Sequence, residues 1–165
     1  MSWFVRSSSP DETFHSLILY LNGKSMKTLA RSQPSYVKAE FGSSFSFLDE
    51  GNAKGEVEVK VTKGNGGSYV HLNFDFTKEY ALGLMAAVLG TFSFYVMGFG
   101  LSLIVKLSSL NPIESWLIAF VLLIGLVLGA ALFVIVMALE GFAVTRTKKR
   151  FLEEFNMFIE LLSTR

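Results

Sequence analysis

The sequence predicts an α+β membrane protein. A small N-terminal two-layer α/antiparallel-β domain is followed by a two-helix transmembrane hairpin and a C-terminal amphipathic helix. Three observations predict this. Residues 80–105 and 115–139 are uncharged runs, and roughly 20 apolar residues cross a bilayer core of roughly 30 Å. Residues 55–77 alternate apolar and polar on both sides of Gly64-Asn65-Gly66-Gly67, the pattern of a half-buried hairpin. Residues 151–162 carry apolar side chains at helical spacing.

Composition agrees. The 165 residues include no Cys, 51% are apolar and 18% charged, and the mean hydropathy is +0.45. An average soluble protein is about 25% charged. These figures exclude a disordered tail and a disulfide-stapled module. A formal net charge of +1 gives no reason to expect nucleic acid as a partner. The expected division is a cytoplasmic α+β domain at 1–79, a hairpin at 80–140 with spans of about 81–105 and 114–139, and an amphipathic segment at 141–165.

In the first segment, Ser9-Pro10-Asp11-Glu12 reads as a helix start: Ser9 caps, Pro10 suits the first turn and Glu12 completes a capping box. Phe14, Leu17, Ile18 and Leu21 then share one face, and Asn22-Gly23 stops a helix of about 10–22. Residues 24–34 fit helix or strand. Residues 36–41 alternate, and Phe45 and Phe47 extend that pattern. In the hairpin, Lys63 opposite Ser68 pairs Val61 with Val70, Val59 with Leu72 and Val57 with Phe74, all on one face. Trp3 and Phe4 suit either the membrane interface or the edge of the β domain's core.

Lys106 to Glu114 is too short to join anything but antiparallel spans, and Asn111-Pro112 marks its turn. Tyr80 and Trp116 are placed as interfacial aromatics. Residues 1–30 lack the apolar core of a secretory signal. The loop carries only Lys106, whereas Arg146, Lys148, Lys149 and Arg150 follow the second span. A Lys/Arg excess belongs on the cytoplasmic side. The expected location is therefore the cell membrane, with both termini cytoplasmic. The basic cluster serves as a topology signal or as a site for anionic lipid.

Ala87, Thr91, Tyr95, Gly98 and Ser102 form a stripe of small or weakly polar residues in the first span. Gly125 and Gly129 form a G-x-x-x-G in the second. Small residues let membrane helices approach closely, so the two stripes are expected to pack within one chain, with homodimerisation as the competing use. Phe151, Leu152, Phe155, Phe158, Ile159 and Leu162 define the apolar face of a helix of about 147–163. Its basic residues lie at its N-terminal end, against the helix dipole, a conflict that disappears if the helix continues directly from the second span with Gly141 as the hinge. That face suits a partner or the membrane surface; the competing reading packs it on the chain's own β domain.

The chemistry-bearing patterns are sparse. His15 and His71 are isolated, and a zinc or haem site needs several ligands in a set geometry. The glycine run precedes a strand, whereas a phosphate loop opens a helix. Asp49-Glu50 and Glu153-Glu154 read as solvated, and Glu114, Glu140 and Lys106 sit at span ends within reach of water. The expectation is a non-enzymatic integral membrane protein without a cofactor. Its role is that of a scaffold or accessory subunit, with lipids and either protein partners or further copies as company. The alternative is a domain that binds or senses a lipid or apolar ligand, for which Phe41, Phe45, Phe47, Phe74 and Phe76 supply aromatic surface. A weaker alternative is an oligomeric channel lined by Thr91, Tyr95 and Ser102.

Overall fold

The computed structural model describes residues 1–6, 9–33, 35–42, 53–108 and 115–164. Phe45, Phe47, the Asp49-Glu50 pair, Asn111-Pro112 and Glu114 lie outside the described residues, as does the Trp116 side chain. The elements run β1 (Ser2–Arg6), α1 (Pro10–Gly23), β2 (Lys27–Ser32), β3 (Tyr36–Phe41), β4 (Gly55–Gly64), β5 (Gly67–Asp75), α2 (Thr77–Ser108) and α3 (Ser115–Ser163). The chain forms two compact units, Met1–Glu79 with Phe142–Arg165, and Tyr80–Gly141.

The first unit is a mixed α+β fold. Its sheet is antiparallel, in the order β1-β5-β4-β3-β2. The central hairpin has the register that its alternation dictates: Val57 faces Phe74, Val59 faces Leu72 and Val61 faces Val70. Gly64 and Gly67 also pair, so the turn narrows to Asn65-Gly66, and Gly66 takes φ +79°. That is left-handed backbone, open to a residue without Cβ. Residues 24–25 form a tight turn, and Lys27–Ser32 is the exposed edge strand β2. Lys27 and Arg31 place charge on this edge, which discourages pairing with other chains. The first residues, to which periodicity assigned nothing, form the opposite edge, β1.

The capping box closes α1 at its start. Glu12 N–H donates to Ser9 Oγ at 3.2 Å, and Ser9 N–H donates to Glu12 Oε2 at 3.1 Å. Phe14, Leu17, Ile18 and Leu21 are buried, and α1 lies over β3, β4 and β5. One helix does not cover five strands. The rest of that face is covered by the last turns of α3, from which Phe151, Phe155 and Ile159 join the same core as Val5, Val37, Val57, Val59, Val70 and Leu72. Phe151 packs against Phe41 of β3 and Phe74 of β5, and Phe155 meets Trp3 of β1 edge-on at 5.1 Å. Trp3 thus caps the core, and its Nε1–H donates to Asn156 Oδ1 at 2.7 Å. Phe4 takes the other sheet face, against Tyr69.

The C-terminal amphipathic segment follows directly from the second apolar run, as its basic N-terminal end suggested, since α3 runs from Ser115 to Ser163. One expectation changes here. The stripe does not turn Phe151, Phe155 and Ile159 outward: the apolar side of the sheet would otherwise stand in water, and these three side chains fill that place.

In the second unit, α2 and α3 pack antiparallel. Close approaches step in opposite directions along the two helices: Gly98 with Gly125, Thr91 with Gly129, Gly90 with Leu132, and Gly83 with Glu140. A Cβ on Gly129 would stand 3.0 Å from Thr91 Cγ2, and one on Gly83 would stand 2.9 Å from Glu140 Cγ. The Thr91 hydroxyl lies 2.8 Å from the Ala87 carbonyl and 3.0 Å from the Gly129 carbonyl, and its proton serves both. Glu140 is 1% exposed, so it does not reach water as its place at a span end suggested.

Two predictions test this packing. Phe155 is fully buried, so Phe155→Ala should destabilise the first unit by about 3–5 kcal/mol. Loss of protection from protease at an unchanged temperature reads this out. In the second unit, Gly129→Leu should lower the thermal midpoint in detergent well below that of Thr91→Val, which removes one interhelical hydrogen bond worth about 0.6 kcal/mol. Equal midpoints for wild type and Gly129→Leu would show that close approach at this level is dispensable.

Candidate functional site

Three sets of residues stood out in the sequence, and the structure treats each differently. In the small-residue stripe, Ala87, Gly98, Ser102, Gly125 and Gly129 are buried and Thr91 is half-buried. The pairs Gly98–Gly125 and Thr91–Gly129 are brought together within one chain. Tyr95 is the exception. At 46% exposed, it stands on the flank of the stripe rather than in the seam. Phe94, one residue earlier, presents its carbonyl to Gly125 instead. The seam is a packing device: backbones approach where there is no side chain to hold them apart.

The aromatic set divides between the core and its margin. Phe151, Phe155 and Ile159 are buried, while Leu152, Phe158 and Leu162 pack against the core from its edge. Phe158 stacks on Tyr20 of α1, with ring centroids 4.5 Å apart. Burial, and then the Glu154 carboxylate, push the Tyr20 hydroxyl up to about 12.

The basic set lies on exposed turns of α3. Arg146, Lys149 and Arg150 are exposed and Lys148 is half-buried, its ammonium 5.8 Å from the centre of the Phe74 ring. Lys149 Nζ stands 4.0 Å from Glu153. An exposed i,i+4 pair of this kind contributes only about 0.3–0.5 kcal/mol.

Periodicity did not single out the charged face of the sheet. Glu40, Glu56 and Asp75 stand side by side across β3, β4 and β5, and like charges directly opposite one another repel. Lysines offset this. Lys38 Nζ reaches Glu56 at 2.7 Å and Glu58 at 3.2 Å, Lys54 reaches Glu40 at 2.9 Å, and Lys78 reaches Glu56 at 2.5 Å. The Lys38 hydrogen bond, followed by that from Lys78, holds the Glu56 carboxyl below its ordinary range. Glu56, then Glu58, raise Lys38. Asp75 is lowered by the Thr77 side chain and backbone, and its Oδ1 accepts the Thr77 N–H at 2.9 Å at the start of α2. Further along this face, Tyr36, Glu58, Lys60, His71 and Asn73 line a shallow groove. His71 lies 3.1 Å from the Thr62 hydroxyl, and His15 is exposed on α1. The sequence holds the signal for this network, but only the register of three strands assembles it.

Among the described residues, no group of three or more His, Cys, Asp and Glu is arranged to hold a metal ion. No protein-family model matches the chain, and no curated protein matches it in sequence.

The network makes stability depend on pH in a definite direction. A carboxylate depressed in the folded state adds stability above its ordinary value of 4.5, and that contribution disappears as the pH falls through the lower folded value. The raised Lys38 adds stability below 10.5, which is lost as the pH rises through its folded value. Thermal midpoints should form a plateau between these limits. Glu56→Gln should shrink both the acid and the alkaline steps, and an unaltered acid step would remove Glu56 from the account.

Proposed function

We propose that this chain is a two-span integral membrane protein with both termini in the cytoplasm, acting as a non-catalytic scaffold or accessory subunit of a membrane assembly. The exposed surface of its two apolar helices carries the membrane part of the reading. The most apolar 18-residue windows within Thr77–Ile104 and Ala119–Ser163 have mean hydropathies of 1.8 and 3.1, yet only 17% and 6% of those windows are buried. A core helix of a soluble protein hides such residues. Here Phe92, Met97, Ile104 and Val134 are each more than 60% exposed. An apolar surface this continuous is unsuited to water and suited to lipid.

The orientation rests on charge. Arg146, Lys148, Lys149 and Arg150 lie beyond the second apolar run, and Lys106 alone lies in the loop. The subunit role is supported by what the chain puts outside the lipid: a sheet domain directly continued by α2, with its interior filled by Phe41, Phe74, Phe151 and Phe155. Those side chains take up the room that a lipid or apolar ligand would need, which favours the scaffold over a carrier or sensor. The Thr91 hydroxyl is engaged with Gly129, which argues against a lumen lined by that residue.

Two measurements test the proposal. The chain has no Cys, so single-cysteine variants report topology directly. Ser2→Cys and Ser163→Cys should react with an impermeant thiol reagent only from the cytoplasmic side, and Ser109→Cys only from the outside. The native complex, extracted in mild detergent from its own membrane, should have a mass exceeding that of the chain by stoichiometric foreign subunits. A lone monomer or homodimer would overturn the subunit role and leave the topology standing.

A further inference from the structure

The basic turn of α3 borders a recess of about 290 Å³ in the sheet domain. Met26, Phe41 and Phe151 make its apolar part, and Lys24, Arg150 and Glu154 its charged part. Phe41 and Phe151 stack there with ring centroids 5.6 Å apart. Phe151 is buried, whereas Lys24 and Arg150 are exposed.

The polar groups of the lining are not equally engaged. Thr147 Oγ1 accepts the Ala53 N–H at 2.9 Å and donates to the Ala143 carbonyl at 2.8 Å. Lys24 and Glu154 pair at 2.5 Å, so the acid of the lining is balanced. Arg150 makes neither a hydrogen bond nor an ion pair among the described residues, while Lys149 beside it leans toward Glu153 at 4.0 Å. The lining therefore carries one positive charge in excess, on a guanidinium whose planar fork fits phosphate oxygens in pairs. Arg146, Lys148 and Lys149 add to the positive field from the turn before it.

Position selects the kind of anion. Phe142 is 66% exposed and is the last large apolar side chain of α3 turned outward before the basic turn. Arg146 and Arg150 follow it by four and eight residues on one continuous helix, about 6 and 12 Å along the axis. A headgroup layer adds about 5–8 Å to each side of the hydrocarbon. Helical side chains lean toward the helix N-terminus, which for α3 is the membrane side, so an arginine a turn past the layer points back to it. Volume selects the part of the lipid. Ligand pockets span about 300–1,000 Å³, and a recess at the bottom of that range takes a headgroup and leaves the acyl chains in the bilayer. The filled interior of the domain is consistent with this.

We propose that the recess seats the headgroup of an anionic phospholipid of the cytoplasmic leaflet, with its phosphate on Arg150 and its glycerol end against Met26 and Phe41. The inference rests on the two-span reading with the basic turn in the cytoplasm, and it turns the basic cluster from a diffuse charge into a defined contact.

The test uses the full chain in mild detergent. Native mass spectrometry follows retention of added phosphatidylglycerol, with phosphatidylcholine as the comparison. Wild type should hold one phosphatidylglycerol at concentrations that leave it free of phosphatidylcholine. Arg150→Gln should weaken retention about tenfold, the scale of a lost charged hydrogen bond, and Arg150→Lys should recover part of it. Lys149→Gln removes the same charge one residue away and outside the lining, and should weaken retention less than about twofold. Thermal midpoints check that each variant keeps its fold. Equal losses in Arg150→Gln and Lys149→Gln would reduce the contact to diffuse attraction and overturn the inference. So would equal retention of both lipids, or retention indifferent to Arg150→Gln. Stabilisation by inorganic phosphate that matches phosphatidylglycerol and is lost in Arg150→Gln would assign the site to a free anion instead. Retention that appears only in Asp49→Asn, Glu50→Gln would assign it to the chain's own acidic pair. Ser163→Cys separates this inference from the topology. Labelling from the cytoplasmic side without lipid retention sinks the recess alone, and labelling from the outside sinks the orientation with it.

Discussion

The fold of the first unit depends on one set of contacts, in which Phe151, Phe155 and Ile159 seat on the sheet beside α1. A five-stranded sheet with one apolar face needs a second layer across its whole width. The 14 residues of α1 supply only part of it. The remainder comes from the far end of the chain, and Trp3, Tyr20, Phe41 and Phe74 all arrange themselves around those incoming rings. Removing α3 from this position would uncover apolar area on both the sheet and α1.

The two units are held by different physics. In the first, apolar side chains leave water, the sheet ladder satisfies its own backbone, and the outward face is left to balanced charge. In the second, the apolar residues mostly point outward, and the helices meet where side chains are smallest. Gly98 and Gly125, and Thr91 and Gly129, bring backbones together, so the contact rests on close packing and on the Thr91 hydroxyl. Such a contact has a role in lipid, where burial alone gives helices no reason to associate.

Much of this was legible in the sequence because the decisive signals are local. The capping box of α1, the alternation of β4 and β5 and the lengths of the apolar runs each involve neighbours along the chain. The strand β1 was not legible: five residues with Trp3, Phe4 and Val5 in succession have no clean period, and their strand character comes from pairing with β5. Lys27–Ser32 became a strand for the same kind of reason, the open edge of β3. The inward use of Phe151 and Phe155 was hidden because helical periodicity shows that a stripe exists without showing what faces it. Tyr95 fell outside the seam because a few tens of degrees around a helix separate a packed position from a flanking one. The burial of Glu140 depends on Gly83, a residue with no side chain to advertise the space it leaves.

The Trp3–Asn156 hydrogen bond spans 153 positions of the chain. A ribosome making this protein finishes every strand of the sheet long before it makes the helix that completes their core. The apolar helices come in between, so the domain waits, half covered, while they are made. Residues made after both apolar runs thus help to decide whether the strand made before them folds. Contacts of such sequence separation are slow to form, and until they do, the apolar face of the sheet is the surface a chaperone would have to guard.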